Sequence, residues 1–477
     1  MTRDLFLGLD VGTQGTKGVL LDGTRGLVVG RASSAYGLIE GLGEGAAEQH
    51  PDTWCAAITE VVRALEIDAR RLAGIGVSGQ QHGCVPIDAD GRVLRAARLW
   101  CDTSTTREAD ELSKALGRAI PVGFTASKVL AFARKDPESW NACAHVLLPH
   151  DYVNLRLTGR VYTEAGDASG TGYFDPVTRD YDPRAMAVLD SRLAERVPPL
   201  IAANATAGAL TQDAATWLGL DAVGVPVSAG GGDNMLSAIG SGATRSGVAV
   251  VSLGTSGTVF ARSDAAVVDP SGAIAAFCDS TGGWLPLLCV MNATGVAQEV
   301  ADAFEVDHAT LTREAASLPA GNDGLLMIPY LMGERTPDRP NATGSLHGIR
   351  PGGLARGALY RAALEGVALN LAWGVDRMRQ LGLPIEHVRL VGGGAQNDLW
   401  ASILASSLNV TIERPSEPES AALGAALQAQ WSTRPEDAID DLARSAIQID
   451  GRRIDPVDQD VAVYAERLSA FRSLGSG

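Results

Sequence analysis

The sequence predicts an α/β protein built from two similar halves, and three observations carry that expectation. At 477 residues the chain is too long for a single hydrophobic core. Short β-prone runs alternate with helical patterns along most of its length. One design, an apolar strand, then Gly-Thr-x-Gly, then a second apolar strand, occurs twice, starting its turn at Gly12 and again at Gly254.

In LFLGLDVGTQGTKGVLLD (5–22), Leu5, Leu7 and Leu9 precede the glycine turn and Val19, Leu20 and Leu21 follow it, which predicts a hairpin. HPDTWCAAITEVVRALEID (50–68) has apolar residues at helical spacing, with Asp52 or Thr53 as the expected cap. LAGIGVSGQQHGCVPID (72–88) predicts a strand ending in small and polar residues, then another strand. VPVSAGGGDNM (225–235) runs from a β-prone segment through three glycines to Asp233 and Asn234. GVAVVSLGTSGTVFARSD (247–264) repeats the hairpin. RGALYRAALEGVALNLAWGVDRMRQLG (356–382), apolar on most sides and closed by Gly382, predicts a buried helix. IEHVRLVGGGAQNDLWASILASSL (385–408) reads as a strand, three glycines and an amphipathic helix. The expected division is 1–240 and 241–477, joined by GSGATRSG, with a less patterned, acidic tail after 433 expected to be peripheral.

The net charge of −16, from 56 acidic and 40 basic side chains, argues against a nucleic-acid or anionic-membrane surface. It does not argue against a phosphate ligand, which backbone N–H groups can hold in a local pocket. Cys55, Cys84, Cys101, Cys143, Cys278 and Cys289 show no C-x-x-C spacing, and most sit in apolar stretches, which disfavours metal or redox work. No signal-peptide layout and no apolar run of membrane-spanning length is present, so a cytoplasmic enzyme is expected.

A Gly-Thr-x-Gly turn offers backbone N–H groups and a hydroxyl to a phosphate, although ordinary hairpins use the same residues. Two copies facing each other would clamp a polyphosphate. Asp10, directly before the first turn, then faces Mg²⁺ through water, or else merely stabilises the turn. Lys17 either neutralises phosphate or is a solvated strand residue. The glycines at 392–394 would admit a flat ring or a ribose, but G-x-G-x-x-G spacing is absent, and so is G-x-x-x-x-G-K-[ST]. Asp233 is either a helix cap or a carboxylate at the floor of a cleft.

The two hairpins, GGGDN (230–234) and GGGAQNDLW (392–400) occur in an order that resembles the FGGY family of carbohydrate kinases. GQQHG (79–83), LWCD (99–102), GFTASK (123–128), LLPHDYVNLRLTG (147–159), DASGT (167–171), PYLMGERTP (329–337) and AALGAA (421–426) extend the likeness over most of the chain. The resemblance implies two actin-like ATPase (ribonuclease H-like) domains with an interdomain cleft. It implies ATP- and Mg²⁺-dependent phosphorylation of a ketopentose, D-xylulose first, with D-ribulose or another ketose or polyol as the alternative. By position it implies Asp233 as general base and Gln81, His82, Asp233 and Asn234 as sugar contacts. Gly12, Thr13 and Lys17 match the first phosphate segment, Gly254 and Thr255 the second, and Gly393, Gly394 and Asn397 the adenosine segment; Asp10 would orient Mg²⁺ through water. A homodimer is also implied.

Ser104 stands where many relatives have Arg, Gln81 where Met is frequent, and Ala131 where one signature has Trp; these bear on the sugar rather than on the kinase chemistry. The three glycines before Asp233 are expected to clear space for sugar and γ-phosphate, and Glu334 with Arg335 to form an interdomain loop or a structural ion pair. The competing class is an actin-like ATPase module without a sugar, which has no need of the sugar-facing set Gln81, His82, Asp233 and Asn234; a sugar-sensing module without transfer is disfavoured because both phosphate hairpins and the base are present.

Overall fold

The computed structural model describes residues 3–475. Met1, Thr2, Ser476 and Gly477, the outermost residues of the two expected halves, lie outside the described residues.

Strands β1 (Leu5–Val11) and β2 (Gly15–Asp22) form the first hairpin, with Asp10 paired opposite Lys17. β3 (Leu27–Ala35) extends it antiparallel, and β4 (Leu72–Gly79) runs parallel to β1 on the other side. β5 (Thr206–Ala209) and β6 (Pro226–Ser228) complete the order β5-β6-β4-β1-β2-β3, and the two-residue β7 (Gly231–Gly232) pairs with the end of β4. β1 and β4 are buried on both faces, as their nearly continuous apolar sequences require.

The second sheet uses β8 (Gly247–Leu253), β9 (Gly257–Ala261), β10 (Leu287–Val290), β11 (Ile385–Val391) and β12 (Thr411–Glu413) in the order β10-β9-β8-β11-β12. β8, β9 and β10 form an antiparallel meander, and β11 and β12 add in parallel to β8. The row β3-β2-β1-β4-β6 has the same order and the same pairing senses. The repeat visible in two short turns is therefore a repeat of the whole sheet.

Helix α1 (Pro51–Ala64) starts earlier than the sequence suggests. Its cap is His50, whose ring accepts the Asp52 N–H, with Pro51 at the first position, where no N–H is needed. α2 (Asp233–Gly240) follows β7 directly. α3 (Arg356–Gln380) is buried along most of its length, as its all-round apolar pattern predicts, and α4 (Asp398–Leu408) packs beside it.

α5 (Ser420–Thr433) belongs late in the chain yet lies across β1 and β4 of the first sheet and crosses α2. The approach is backbone to backbone. A methyl group on Gly8 would sit 1.9 Å from the Ala422 carbonyl oxygen, and one on Gly76 2.0 Å from that of Ala425. On Gly424 it would sit 1.8 Å from the Leu236 carbonyl oxygen, and on Gly240 1.9 Å from that of Ser420. Around this crossing a shared core joins Phe6 and Val19 of the first sheet, Leu236 and Ile239 of α2, Val250 and Phe260 of the second sheet, and Leu423 and Leu427 of α5.

The expectation of a peripheral tail is overturned. α6 (Asp458–Leu474) buries Tyr464, Leu468 and Phe471 in the same core as β8, α3 and α4. Those three apolar residues recur at helical spacing among charged neighbours, and Tyr464 donates from its hydroxyl to Glu365 of α3 (2.9 Å). Among the described residues no helix is long and apolar enough to cross a membrane.

Gly424→Val is expected to force α5 and α2 apart and to lower stability by about 1–3 kcal/mol or more, read as a lower urea midpoint. Gly393→Ala, where a methyl group meets nothing within 4 Å, is the control and should leave the midpoint unchanged.

Candidate active site

The ends of parallel strands assemble the site. Asp10 lies beside Ser78 in the pairing of β1 with β4, and Ser78 lies beside Gly231 in the pairing of β4 with β7. Asp233, two residues beyond Gly231, opens α2 at that same edge. Open α/β sheets bind ligands outside the carboxyl ends of their strands.

The Ser78 hydroxyl donates to Asp10 Oδ1 (2.8 Å). Burial pushes the Asp10 carboxyl up to about 6, against the opposing pull of the Ser78 hydroxyl and Lys17. Burial also pushes Asp233 up to about 7, reinforced by the neighbouring charge of Asp10 and then that of Asp167. Asn234 works in the opposite direction, donating to Asp233 Oδ1 from its backbone N–H (2.7 Å) and its side-chain Nδ2 (3.0 Å). The same Nδ2 donates to Gln81 Oε1 (2.9 Å). Gln81, Asn234 and Asp233 are thus one bonded cluster.

His82 stands beside it with φ +65°, and its ring meets Phe124 of the first half and Phe277 of the second at centroid distances of 4.8 and 6.0 Å, the two phenyl rings lying 6.1 Å from each other. Burial, then the Lys128 and Arg335 charges, hold its imidazole well below the ordinary range, so it is neutral. Lys128 Nζ donates to the Gly123 and Phe124 carbonyls (2.5 and 2.9 Å), which fixes the loop that carries Phe124. GFTASK marks this loop in the sequence, but nothing local indicates that Phe277 joins His82 and Phe124 in one aromatic cluster.

The glycines before Asp233 do not clear space for a ligand; they clear space for protein. Gly230, at φ +75°, donates its N–H to Gln428 Oε1 (2.8 Å) and accepts from Gln428 Nε2 (2.9 Å) at its carbonyl. A methyl group on Gly231 would sit 2.4 Å from Leu236 Cδ2 and 2.6 Å from Ser280 Oγ, and one on Gly232 2.8 Å from Gln81 Cγ. Absent side chains here let Gln428, Ser280 and Gln81 converge beneath Asp233.

In each Gly-Thr-x-Gly turn the first glycine closes the turn itself: Gly12 N–H donates to the Gly15 carbonyl and Gly254 N–H to that of Ser256, both at 3.0 Å. The Thr13 hydroxyl donates to Gln80 Oε1 (3.0 Å) and accepts from Trp100 Nε1 (2.9 Å). Lys17 is half-exposed and ion-paired with Glu419, the residue before α5, at 2.6 Å.

Gly254, Thr255, Gly393, Gly394 and Asn397 together line a cavity of about 750 Å³, which Gly12, Thr13 and Lys17 do not line. Gly393 faces open space, whereas Gly394 packs against Leu253 and Thr294, with a methyl group there 2.9 Å from each. Asn397 spends its amide on structure: Oδ1 accepts the Trp400 N–H (3.1 Å) to cap α4, and Nδ2 donates to Thr312 Oγ1 (2.9 Å). Gln298, His308 and Tyr360 add polar groups to this wall, with His308 hydrogen-bonded to both of the others. No motif singles out these three, because they come from helices separated from the glycine segments.

Glu334 and Arg335 do not form the expected ion pair with each other, although the Arg335 charge reaches His82 of the first half. The Glu334 carboxylate accepts from the Met291 and Arg335 N–H groups (2.6 and 2.7 Å) and from the side-chain amides of Asn292 and Asn370 (3.1 and 3.2 Å), all within the second half.

Residues 5–240 match the N-terminal domain of the FGGY family of carbohydrate kinases, and residues 249–433 match its C-terminal domain. The chain belongs to this family. It is 37% identical to the xylulose kinase of Haemophilus influenzae, over 94% of each chain. It is 32% identical to that of Escherichia coli, over 98% of each. The crystal structure of a xyloylose kinase from Brucella ovis superposes with a TM-score of 0.91, at 32% identity and 98% coverage of both chains. The repeated sheet, with its cleft at the strand ends, is the actin-like ATPase fold of these kinases.

Gln428→Leu leaves the Gly230 N–H and carbonyl unmet in a buried turn and is expected to cost about 1–3 kcal/mol. Urea denaturation measures it; an unchanged midpoint would show that the amide does not hold the turn.

Proposed function

We propose that this chain transfers the γ-phosphoryl group of ATP to D-xylulose, giving D-xylulose 5-phosphate, with Asp233 as the general base. The observation that carries this reading is the bonded cluster of Gln81, Asn234 and Asp233, set beside Asp10 at the strand ends. The relatives whose names specify xylulose kinase support the choice of sugar.

A sugar hydroxyl holds its proton far above neutral pH, so a base takes that proton as the bond to phosphorus forms. A carboxyl near 7 suits this proton transfer, being ionised under working conditions yet basic enough to accept. Gln81 and neutral His82 offer hydrogen bonds to the sugar without competing for its proton. The cavity bounded by Gly254, Thr255, Gly393, Gly394 and Asn397 has the size expected of a nucleotide site; Gly12, Thr13 and Lys17, which do not line it, are proposed to meet the phosphates from the first half. In-line positioning and neutralised phosphate charge supply most of the acceleration in phosphoryl transfer.

The donor chemistry at the strand ends fits Mg²⁺. Asp10 and Asp233 are hard oxygen donors close enough for the charge of the first to raise the second. Among the described residues no three His, Cys, Asp or Glu side chains converge as a metal cage, so a cation here would keep most of its water. Asp10 and Asp233 would hold it through that water, and it would neutralise phosphate charge.

A coupled ADP-release assay over ketoses and polyols tests the function: D-xylulose should stimulate release most strongly. Stimulation by D-ribulose alone would move the substrate assignment, and stimulation by none would favour an ATPase or sensor. Asp233→Asn should lower kcat by about 10²–10⁴-fold while ATP still binds. Because Asp233 must be unprotonated to act, kcat/KM should rise about tenfold per pH unit below about 7 and level off above it. A flat profile through that range would remove Asp233 from the role. Asp10→Asn should raise the Mg²⁺ concentration for half-maximal rate by about tenfold and change the D-xylulose KM little; the reverse pattern would count against the metal assignment.

A further inference from the structure

From the Asp233 cluster, polar contacts continue into the protein through groups that the transfer step does not use. Gln81, whose Oε1 accepts from Asn234, has Asp167 as its other polar neighbour. Asp167 is fully buried in the short helix Ala165–Ala168, with its Oδ2 2.5 Å from His150 Nδ1. His150 is fully buried at the start of helix Pro149–Thr158, and its Nε2 lies 3.1 Å from Asp151 Oδ1. Glu164 secures the segment that carries Asp167, accepting the Gly166 and Asp167 N–H groups (2.7 and 2.6 Å).

Three carboxyls and an imidazole enclosed in this way are not a cheap means of packing helices. Apolar residues of the same volume hold such elements as well or better. Burial pushes Asp151 and Glu164 up to about 7 and Asp167 well above its ordinary range. Polar specificity, rather than packing, accounts for the arrangement.

The specificity concerns the Gln81 amide. Its oxygen and nitrogen have nearly the same shape, so sterics alone do not decide which end faces Asn234. Asn234 Nδ2 is a donor and needs the oxygen. On the far side, Gln81 Nε2 and Asp167 Oδ1 are both buried and neither has a hydrogen-bond partner, although the two side chains are close enough for the amide to act on the carboxyl. A carboxylate oxygen can only accept, so Asp167 selects the orientation that turns the amide N–H toward it and leaves Gln81 Oε1 for Asn234. The proton shared between His150 Nδ1 and Asp167 Oδ2 lies on the far side of the carboxyl, so Oδ1 faces the amide as an acceptor whichever of the two carries it.

We propose that Asp167, anchored by His150, is a positioning residue that sets the Gln81 amide and, through Asn234, aims the Asp233 carboxylate at the sugar hydroxyl. The inference rests on the reading of Asp233 as base and Gln81 as sugar contact. It extends the reacting cluster to two fully buried side chains that never meet substrate.

The test compares His150→Asn with His150→Gln. The shorter amide places its nitrogen where Nδ1 stands and keeps the donor to Asp167; the longer one reaches toward Asp151 and loses it. His150→Gln and Asp167→Leu are each expected to lower kcat/KM for D-xylulose by about tenfold or more, with the ATP dissociation constant within about twofold of wild type. His150→Asn should recover kcat/KM to within about threefold of wild type, even where its melting temperature falls as far as that of His150→Gln. Equal losses in the two His150 variants, or an unchanged kcat/KM in His150→Gln, would overturn the proposal. If Asp167→Leu does not fold, the His150 pair decides alone. Wild-type turnover reads the underlying assignment separately: its absence removes that assignment and this inference together, whereas normal turnover with no difference between the His150 variants removes only the inference.

Discussion

The crossing of α5 over the first sheet and α2 is the contact on which the rest of the molecule depends. Glycines at 8, 76, 240 and 424 remove the side chains that would hold the backbones apart. Because the helix lies so close, Gln428 reaches the Gly230 backbone and fixes the turn that delivers Asp233. The helix also contributes Leu423 and Leu427 to the core that joins the two sheets. One close approach therefore joins the halves and builds the floor beneath the carboxylate. Interiors packed at crystal-like density carry such a constraint over distance, since a shift at α5 has no void in which to dissipate.

Electrostatically the site concentrates what the protein elsewhere keeps in water. Asp10, Asp233, Asp167 and Glu164 are all raised by burial, and neighbouring carboxylates add to the effect at Asp10, Asp233 and Glu164. Carboxyls displaced together in this way are typical of sites that bind cations or move protons. Lys17 stands at the rim in a half-exposed pair with Glu419. Exposed pairs of that kind contribute no more than about 1 kcal/mol, so Lys17 is free to exchange its partner for a phosphate at small expense.

Much of the fold is legible because its signals are local. Each hairpin announces itself through apolar runs on either side of Gly-Thr-x-Gly, and α3 through apolar residues on every face. The tail reads as peripheral because Tyr464, Leu468 and Phe471 are spaced thinly among charges, and only the surface they meet reveals them as core. The glycines at 230–232 do signal a close approach, but the neighbour is protein where the motif suggests a ligand. A glycine records that something comes near, not what it is.

The sequence by itself determined the kinds of element, their order, their repetition and the residue types offered to chemistry. These follow from backbone preference and from the period of apolar residues, both of which are properties of adjacent positions. Tertiary structure alone decided which groups stand in contact. It set Phe277 against His82, Gln428 against Gly230, and His150 against Asp167, pairs separated along the chain by 195, 198 and 17 residues. Burial, which raises the carboxyls and keeps the imidazole neutral, arises from the same packing. Protonation state and orientation are properties of an enclosure, and an enclosure exists only after distant segments have closed around it.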